Sequence, residues 1–468
     1  FSEKHHERYT GIYPDSLRTA MHTQQISRRG FLNTAGILTA GVVGSVYADK
    51  GLPKVNRPRA TDGDERIEPA WDDKLQITVG PGKADLVGAS DRVIQAAVDY
   101  VKRLGGGTVR ILPGKYTLRN SIYLPPNLRL LGSGPETVIT KNASETIAMA
   151  DDSDWYDQEI TLAESGNLKV GDGVTLQTKN PHNGSTDVIK RSLIAKSGKR
   201  FKLSDGLRKN LWLSGKPTCS SIFPLFTSER TSDVTIENLT LDGNGKNNAN
   251  LNGNYGGCIF LQDCNRYTIR NVETRNYNGD GISFQICHDV LVENCHSYDN
   301  SNLGVHPGSG SQRPLIRNCV LERNDQGLFW CWGVKFGLAE GNRMIDNRSY
   351  GTSIGHNDTD NVMRNNEVTG SGKVGILFRD DNRGRDFWAN RNLVENNRII
   401  NTGGADGIAI DIQGQTTDVR LAGNEIHETR QPMNRIGVRI GDKAGDIELA
   451  GNKIEGFSTA VEDHRATA

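Results

Sequence analysis

A glycine followed by alternating apolar residues recurs at a nearly constant interval through the second half of the chain. The motif begins, in chain order, at Gly281, Gly304, Gly327, Gly351 (with threonine in the first apolar place), Gly375, Gly407 and Gly437. The first five glycines are separated by 23, 23, 24 and 24 residues, and the last two intervals are longer. A repeat of roughly 20–30 residues is typical of solenoid proteins, in which longer intervals carry insertions.

Asparagines follow the same interval in two columns. The first column closes an apolar-Arg/Glu-Asn motif and contains Asn271, Asn294, Asn318, Asn365 and Asn396. The second column contains Asn342, Asn366, Asn397, Asn424 and Asn452. Stacked asparagine side chains can hydrogen-bond along such a column.

The short period and the absence of a helical apolar stripe predict short strands joined by polar turns. One coil cannot bury its apolar face alone, but stacked coils share a continuous core. The sequence therefore predicts an all-β fold, a right-handed parallel β-helix over residues 76–461 with a short tail at 462–468. A β-propeller would need about 40 residues per repeat, so the spacing excludes it.

Composition limits the classes of partner. Lys and Arg together number 56, as do Asp and Glu, so no basic surface is available to bind nucleic acid through its phosphates. The 53 glycines and a hydrophobic content of 35% fit a turn-rich β protein with a narrow core.

The N-terminal region indicates export. Residues 27–32 (SRRGFL) precede an apolar run at 35–46 and a plausible cleavage position after Ala48. This arrangement resembles a twin-arginine signal peptide, which predicts a periplasmic or extracellular protein. The apolar run is too short to cross a bilayer, so we expect no membrane span. Residues 49–75 are charged and contain proline, which predicts a linker.

Residues 91–104 show helical spacing of apolar side chains, with Ser90 or Asp91 available as the N-cap and three glycines at 105–107. The apolar positions are Ile94, Ala97, Val98, Val101 and Leu104. We expect an amphipathic helix that caps the first coil, because the terminal repeats of solenoids need a polar outer face.

Residues 91–99, 105–116 (GGGTVRILPGKY) and 128–134 (LRLLGSG) together resemble the N-terminal segment of the pectate-lyase-like superfamily, of the pectate lyase 3 type. The resemblance implies a right-handed parallel β-helix. The calcium-site signature of true pectate lyases and the paired-Asp motifs of polygalacturonases are not matched, so no catalytic residue is carried over.

Two further features concern the body of the solenoid. Residues 155–215 interrupt the repeat and predict a small β insertion. Cys264 and Cys287 lie one coil apart, as do Cys295 and Cys319, so packing or a disulfide is geometrically open to each pair. Export of folded cargo favours reduced, buried thiols, and there is no CxxC motif.

Alternation along a strand assigns each coil inward and outward positions. The outward positions after the repeat glycine are Gln285, His306, Phe329, Cys331, Ser353, Arg379, Ala409, Asp411 and Arg439. The turn that follows and its neighbourhood supply Trp332, His356, Asp380, Asp442, Lys335, Asp358, Asp381 and Arg383. Trp330 takes an inward position, so we expect it in the core.

Aromatic, histidine and arginine side chains in one exterior band predict a carbohydrate site, because aromatic faces stack on sugars and Arg binds carboxylates. For β-elimination on a uronate polysaccharide, His306 or His356 would be the base and Arg379 would neutralise the carboxylate. Lys335 or the other histidine would be the acid. Trp332, Gln285, Phe329 and Arg383 are the candidate substrate-binding residues.

Three alternatives stay open. Asp380 and Asp411, on adjacent coils, could serve a glycoside hydrolase, which needs two carboxylates about 5–9.5 Å apart. The protein could bind glycans without cleaving them. Arg379 could be an ion-pair partner of Asp411. We expect no required cofactor, although Asp358, Asp360 and Asp381 could hold a calcium ion.

Overall fold

Each coil of the chain contributes one short strand to each of three parallel stacks, which we name faces A, B and C. This computed structural model describes residues 74–431 and 434–465. The signal peptide expected in residues 1–48, and nearly all of the linker expected in 49–75, lie outside the described residues. The predicted right-handed parallel β-helix is confirmed.

Faces A and B form one 22-stranded sheet, because two long strands bend from one face into the other. Face A contains Gln76–Gly80, Gly107–Ile111, Leu128–Leu131, His288–Glu293, Leu315–Arg317, Leu338–Glu340, Val362–Arg364, Leu393–Glu395, Val419–Ala422 and Ile447–Ala450. Face B contains Gly114–Leu118, Thr137–Lys141, His296–Tyr298, Val320–Glu322, Arg343–Ile345, Glu367–Thr369, Arg398–Ile400, Glu425–His427 and Lys453–Glu455. The shared strands are Ser232–Asp242 and Asn265–Arg275, and Leu86–Val87 pairs with the edge of Gln76–Gly80.

Face C is a separate parallel sheet of eleven strands. They are Ile122–Tyr123, Phe226–Glu229, Ile259–Gln262, Ile282–Gln285, Leu303–Gly308, Gln326–Phe329, Tyr350–Ile354, Val374–Phe378, Ile408–Ile412, Ile436–Ile440 and Thr459–Asp463. Ile259, Ile282 and Val305 are paired in register and fully buried, which shows how like side chains stack from coil to coil. Trp330 is also fully buried, as its inward position predicts.

The register of face C corrects the expected repeat at Gly407. Ile376 pairs with Ile410, and Ile410 pairs with Val438, so the residue equivalent to Gly375 and Gly437 is Ala409. The insertion that precedes this coil is therefore two residues longer than the glycine pattern indicates. Asp411 consequently lies in register with Leu377 and not with Arg379.

The second asparagine column forms the expected hydrogen-bonded stack. The Nδ2 atom of each residue donates to Oδ1 of the next over 2.9–3.0 Å, in the order Asn342, Asn366, Asn397, Asn424 and Asn452. The first column lies in the turns from face A to face B, where all five asparagines have φ between 52° and 55°. Asparagine tolerates this left-handed conformation better than most residues, which explains its recurrence.

The helix α1, Asp91–Arg103, covers the first coil with buried Ile94, Ala97, Val98 and Val101. The predicted capping helix is confirmed. Ser90 is its N-cap residue, although the Ser90 side chain makes no capping hydrogen bond. Leu104 was expected on the apolar face but is 55% exposed, because the helix ends one residue earlier.

A six-stranded antiparallel sheet is inserted between the early coils. Its strands are Thr146–Ala148, Glu159–Thr161, Gly173–Lys179, Thr186–Ser197, Arg200–Leu203 and Thr218–Ser220. It therefore extends beyond the expected 155–215. It has its own core, which includes Leu176, Leu193 and Phe201. Short 3₁₀ helices occupy Leu213–Gly215 and Gly245–Asn247.

All seven cysteines lie within the described residues and are free, and six of them are buried. Cys331, on face C, is the partly exposed one. Within residues 74–431 and 434–465, no helix is long and apolar enough to cross a membrane.

Candidate functional site

The outer surface of face C carries one continuous row of side chains, because parallel register repeats each position from coil to coil. The row runs through Phe260, Ser283, His306, Phe329, Ser353, Leu377, Asp411 and Arg439. Successive members are about 4.8 Å apart. Loop 243–257 covers part of this row, where Ser283 Oγ donates to the Gly253 carbonyl over 2.6 Å.

Asp280 and His306 form a buried hydrogen-bonded pair on this surface. His306 Nδ1 lies 2.8 Å from Asp280 Oδ2, and their side chains are 4% and 0% exposed. Burial alone lowers the pKa of His306, but interaction with Asp280 and Cys331 outweighs burial and raises it to about 9. His306 Nε2 has no hydrogen-bond partner among the described residues. The imidazole is therefore cationic at neutral pH, and its second nitrogen is buried in the neighbourhood of Cys331 without a hydrogen bond.

His306 and Gln285 are less accessible than their outward positions predict. His306 is 3% exposed, and the Phe329 ring contacts it edge-on with ring centroids 5.2 Å apart. Gln285 is 4% exposed, and its amide donates to Ser283 Oγ over 3.2 Å. Outward side chains on face C pack against one another, so an outward position does not ensure contact with solvent.

Arg379 lies on the other side of Phe329, with its guanidinium 4.4 Å from the ring centroid. It donates to Ser353 Oγ and to the Trp330 carbonyl, each over 2.8 Å. Its nearest carboxylate is Asp358, at 3.6 Å. The suggested ion pair of Arg379 with Asp411 is therefore wrong. The side chain is 14% exposed and keeps further N–H groups for a ligand.

The three calcium candidates are engaged elsewhere. Asp358 is fully buried and accepts hydrogen bonds from the Val334 and Gly355 amides, each over 2.9 Å. Burial raises the pKa of Asp358 to about 6, while Arg379 and the amides act in the opposite direction. Asp360 accepts two hydrogen bonds of 2.9 Å from Arg391. Asp381 lies near both Arg379 and Arg383, at 4.0 and 3.6 Å.

His356 is held between two aromatic rings. Its centroid lies 5.0 Å from that of Trp332 and 5.5 Å from that of Phe387. Its Nδ1 accepts the backbone N–H of Arg383 over 3.0 Å, which leaves the proton of the neutral ring on Nε2. Burial lowers the pKa of His356, further favouring the neutral ring. His356 is thus a hydrogen-bond donor and not a free base.

An exposed aromatic and cationic surface surrounds His356. Trp332 is 39% exposed, and the Arg383 guanidinium lies 4.7 Å from its ring centroid. The Arg383 side chain is 64% exposed. We name Trp332, His356, Arg383 and Phe387 the aromatic platform.

The two carboxylates proposed for a hydrolase differ in burial and in their place on the coil. Asp411 is 1% exposed and accepts two hydrogen bonds from Arg439, over 3.0 and 2.6 Å. Asp380 is exposed and lies three residues beyond Leu377, the register partner of Asp411. Asp380 follows the end of strand Val374–Phe378, whereas Asp411 lies within strand Ile408–Ile412.

Lys335 belongs to a different row of residues. Its backbone pairs with Gln312 on one neighbouring coil and with Thr359 on the other, in the turn that leads from face C to face A. The structure therefore brings His306, Phe329 and Arg379 together. Trp332, His356 and Arg383 form a separate group, and Lys335 lies outside both groups.

Sequence reasoning missed Asp280, Ser283 and Phe387. Asp280 directly precedes the repeat glycine Gly281, whereas the alternation of inward and outward positions applies to the residues that follow each glycine. Phe387 lies in the insertion before the coil of Ala409, where the repeat gives no register. The fixed position of Asp280 before a repeat glycine could have identified it from the sequence, whereas no sequence pattern identifies Phe387.

Comparison with known families gives two matches. The model described as right handed beta helix region matches residues 226–385. The chain contains a right-handed β-helix region. A second model, described as periplasmic copper-binding protein (NosD), matches residues 308–464.

Individual proteins are similar to this chain in sequence or in structure. A capsule K1-specific depolymerase of Klebsiella phage K64-1 is 24% identical over 139 residues. That match covers 28% of this chain and 16% of the phage protein's length. The A-module of mannuronan C-5 epimerase AlgE6 from Azotobacter vinelandii aligns with a TM-score of 0.52 and 18% identity, over 80% of this chain and 91% of the module. The Streptococcus pneumoniae adhesin PfbA aligns with a TM-score of 0.50 and 14% identity, over 80% and 91%.

The description of the NosD model raises the question of copper. Within residues 74–431 and 434–465, no three His, Cys, Asp or Glu side chains converge where they could hold a metal ion. The described residues therefore do not fit a copper centre.

Proposed function

We propose that the protein is an exported carbohydrate-active enzyme that cleaves an acidic polysaccharide by β-elimination on face C. The Asp280–His306 pair carries this proposal, because it supplies a proton-transfer group on the outer row of face C whose buried Nε2 has no hydrogen-bond partner among the described residues. The similarity to a protein named as a capsule depolymerase supports action on a polysaccharide.

His306 would act as the base through Nε2. Asp280 holds the Nδ1 proton, so the imidazolium loses its other proton from Nε2. With a pKa of about 9, the neutral ring is a stronger base than an ordinary histidine. The ion pair with Asp280 stabilises the imidazolium that forms when a proton is taken up, as in catalytic triads.

The elimination would proceed as follows. Nε2 of His306 takes the proton from C5 of the uronate, the C4–C5 double bond forms, and the C4–O4 bond breaks. The same Nε2–H then returns the proton to the departing O4. Arg379, across the Phe329 ring, would stabilise the negative charge that develops on the carboxylate.

The aromatic platform would bind the neighbouring sugar units. The strand Tyr350–Ile354 that leads to His356 lies two strands from that of His306, or about 10 Å away, so the two histidines serve different subsites. Trp332 and Phe387 offer ring faces, and the exposed Arg383 offers a bidentate partner for a second carboxylate. The neutral His356 would donate from Nε2 to a sugar oxygen.

A second function is favoured by the accessibility of the histidines. His306 is 3% exposed, and the Nδ1 lone pair of His356 is used by Arg383. Both observations fit a β-helix that binds acidic glycans without cleaving them. In that case Asp280–His306 would be a structural ion pair beneath the binding surface.

The decisive experiment is a product assay on a panel of uronate-containing and neutral polysaccharides. Unsaturated product, seen by ultraviolet absorbance, together with new reducing ends supports β-elimination. Reducing ends without unsaturation would indicate a hydrolase, and binding without either product would indicate the second function. His306→Gln tested in parallel should form no unsaturated product.

Export is a separate part of the proposal. It is supported by the twin-arginine pattern at residues 27–32 and by the similarity of residues 308–464 to a family described as periplasmic. Replacing Arg28 and Arg29 by lysine should leave precursor in the cytoplasm, as measured by cell fractionation. Normal export of the double variant would overturn this assignment.

A further inference from the structure

A groove of about 430 Å³ lies between the antiparallel insertion and the first strands of face C. Insertion strand Thr186–Ser197 forms one wall, and Tyr123, Phe260 and Gln262 of face C contribute to the other. Lys190 reaches across it, with Nζ 3.8 Å from the Phe260 ring centroid. We name this cavity the insertion groove.

A second cavity of about 210 Å³ adjoins it on the insertion. Trp155, Trp212 and His182 line this tryptophan cavity, and Arg208 and Lys209 line both cavities. Trp155 is 54% exposed, which is high for so large an apolar side chain. Indole faces of this kind are suited to stacking on sugar rings.

The charges of the insertion groove favour an anionic ligand. Four cations line it, namely Lys190, Arg191, Arg208 and Lys209, whereas its lining contains one carboxylate, Glu229. Glu229 lies 3.5 Å from Arg230, which is outside the lining.

The four cations differ in how far they are already neutralised. Arg191 donates hydrogen bonds to the carbonyls of Gly206 and Leu207, and Lys209 forms an ion pair with Asp187 at 2.9 Å. Arg208 has a weak contact of 3.6 Å with Asp205, and its side chain is 62% exposed. Arg208 is therefore accessible to a ligand.

Lys190 is the most unusual of these cations. Its ammonium donates to the Tyr255 carbonyl over 2.8 Å and otherwise faces an aromatic ring. Burial lowers the pKa of Lys190 to about 8, with a smaller opposing effect of Glu229. Among the described residues, no carboxylate forms an ion pair with this ammonium, so a carboxylate or sulfate bound in the groove would supply its counter-charge.

The groove lies close to the proposed reaction centre. Phe260 pairs in register with Ser283, and Ser283 pairs with His306, so Phe260 lies two strands, or about 10 Å, from His306. A sugar unit spans roughly half that distance. Loop 243–257 covers Ser283 between Phe260 and His306, so a single glycan chain would reach both places by crossing the outer side of this loop.

We propose that the insertion groove and the tryptophan cavity bind anionic sugar units of the same polysaccharide, with Lys190 as the receptor for a carboxylate or sulfate group. This proposal rests on the proposed function, because it extends the glycan path on face C towards the insertion. The insertion would thus determine the preference for acidic over neutral chains.

The test measures binding separately from cleavage. Titration calorimetry is carried out with His306→Gln, using oligouronates and neutral gluco-oligosaccharides of equal length. Lys190→Met and Trp155→Ala are each added to that background, and Lys199→Met, an exposed lysine in a turn of the same insertion, is the matched control. We expect acidic oligosaccharides to lose about tenfold or more in affinity with Lys190→Met, because one charge-assisted contact is removed.

Trp155→Ala should weaken binding of long oligosaccharides more than short ones, whereas Lys199→Met should have no effect. Lys190→Arg should restore part of the affinity, which distinguishes loss of charge from loss of folding. Equal affinity of Lys190→Met and its parent, or equal binding of neutral and acidic chains, would overturn this proposal. Absence of unsaturated product from the wild type would overturn the proposed elimination and leave the groove assignment standing.

Discussion

Asp280 Oδ2 and His306 Nδ1 are 2.8 Å apart, although Asp280 precedes one strand of face C and His306 lies within the next. Parallel stacking brings them together, because each coil places its outward side chains directly above those of the coil before it. The same carboxylate accepts the backbone N–H of Leu303 through Oδ1 over 3.2 Å. Asp280 therefore binds both the backbone of the next coil and the imidazole of the histidine in that coil.

This pair predicts a pH-dependent contribution to stability. The pKa of His306 is raised from 6.5 to about 9, so the contribution is complete below about pH 6.5 and is lost as pH rises through about 9. A shift of this size corresponds to about 3 kcal/mol. Denaturant midpoints of wild type and Asp280→Asn should differ most at pH 6 and converge near pH 10. The variant keeps an oxygen for the Leu303 amide, and a constant difference across this range would contradict the prediction.

His306→Gln should lower the rate of unsaturated-product formation by about 10²–10⁴-fold, the usual effect of removing a general base. In the wild type, kcat/KM should rise with pH towards about 9, because the neutral ring is the active form. His296→Gln is the matched control, since His296 also contacts a carboxylate, Glu322 at 3.0 Å, but lies on face B. Equal loss in both variants would indicate a general structural effect.

Trp332→Ala should weaken binding of acidic oligosaccharides about tenfold, because a stacked aromatic ring contributes roughly 0.5–1.5 kcal/mol beyond its buried area. Phe336→Ala provides the control. Both residues are exposed, at 39% and 56%, and both have left-handed backbone, with φ of 63° and 58°. Backbone strain is therefore matched, and thermal denaturation should give similar midpoints. Equal affinities of the two variants would remove Trp332 from the binding surface.

The repeat predicted the architecture because a β-helix is specified locally. Spacing alone indicated the stacked strands, the asparagine column and the inward position of Trp330, since each depends on contacts between equivalent residues of adjacent coils. The glycine pattern did not identify the correct register of the Ala409 coil, because alanine occupies the position of the repeat glycine there. The two-residue error moved Asp411 from the neighbourhood of Arg379 to that of Leu377 and Arg439.

The candidate site was less predictable because its contacts depend on side-chain packing. Alternation placed His306 and Gln285 on the outside of the strand, but it could not show that loop 243–257 and neighbouring side chains cover them. Lys190 approaches Phe260 across about 70 residues of sequence, from an insertion with no repeat of its own. No local pattern encodes such a contact.

The asparagine stack should make a large, local contribution to stability, which Asn366→Ala tests. Asn366 Oδ1 accepts both the backbone and the side-chain N–H of Asn342 over 2.9 Å, and its Nδ2 donates to the Ala339 carbonyl over 3.0 Å. Asn366 is 3% exposed, so these bonds are shielded from solvent in the folded protein. We expect a loss of about 2–4 kcal/mol in unfolding free energy, because buried donors are left unpaired.

Asn365→Ala is the adjacent control for that variant. Asn365 is exposed and has φ of 55°, so alanine there should cost only about 1 kcal/mol of left-handed strain. Denaturant unfolding followed by circular dichroism should therefore rank wild type above Asn365→Ala, and Asn365→Ala above Asn366→Ala. The reverse order would show that the turn conformation, and not the buried hydrogen-bonded column, makes the larger contribution to the stability of stacked coils. Asn397→Ala, one coil further along, should match Asn366→Ala, because its amide makes the same set of bonds.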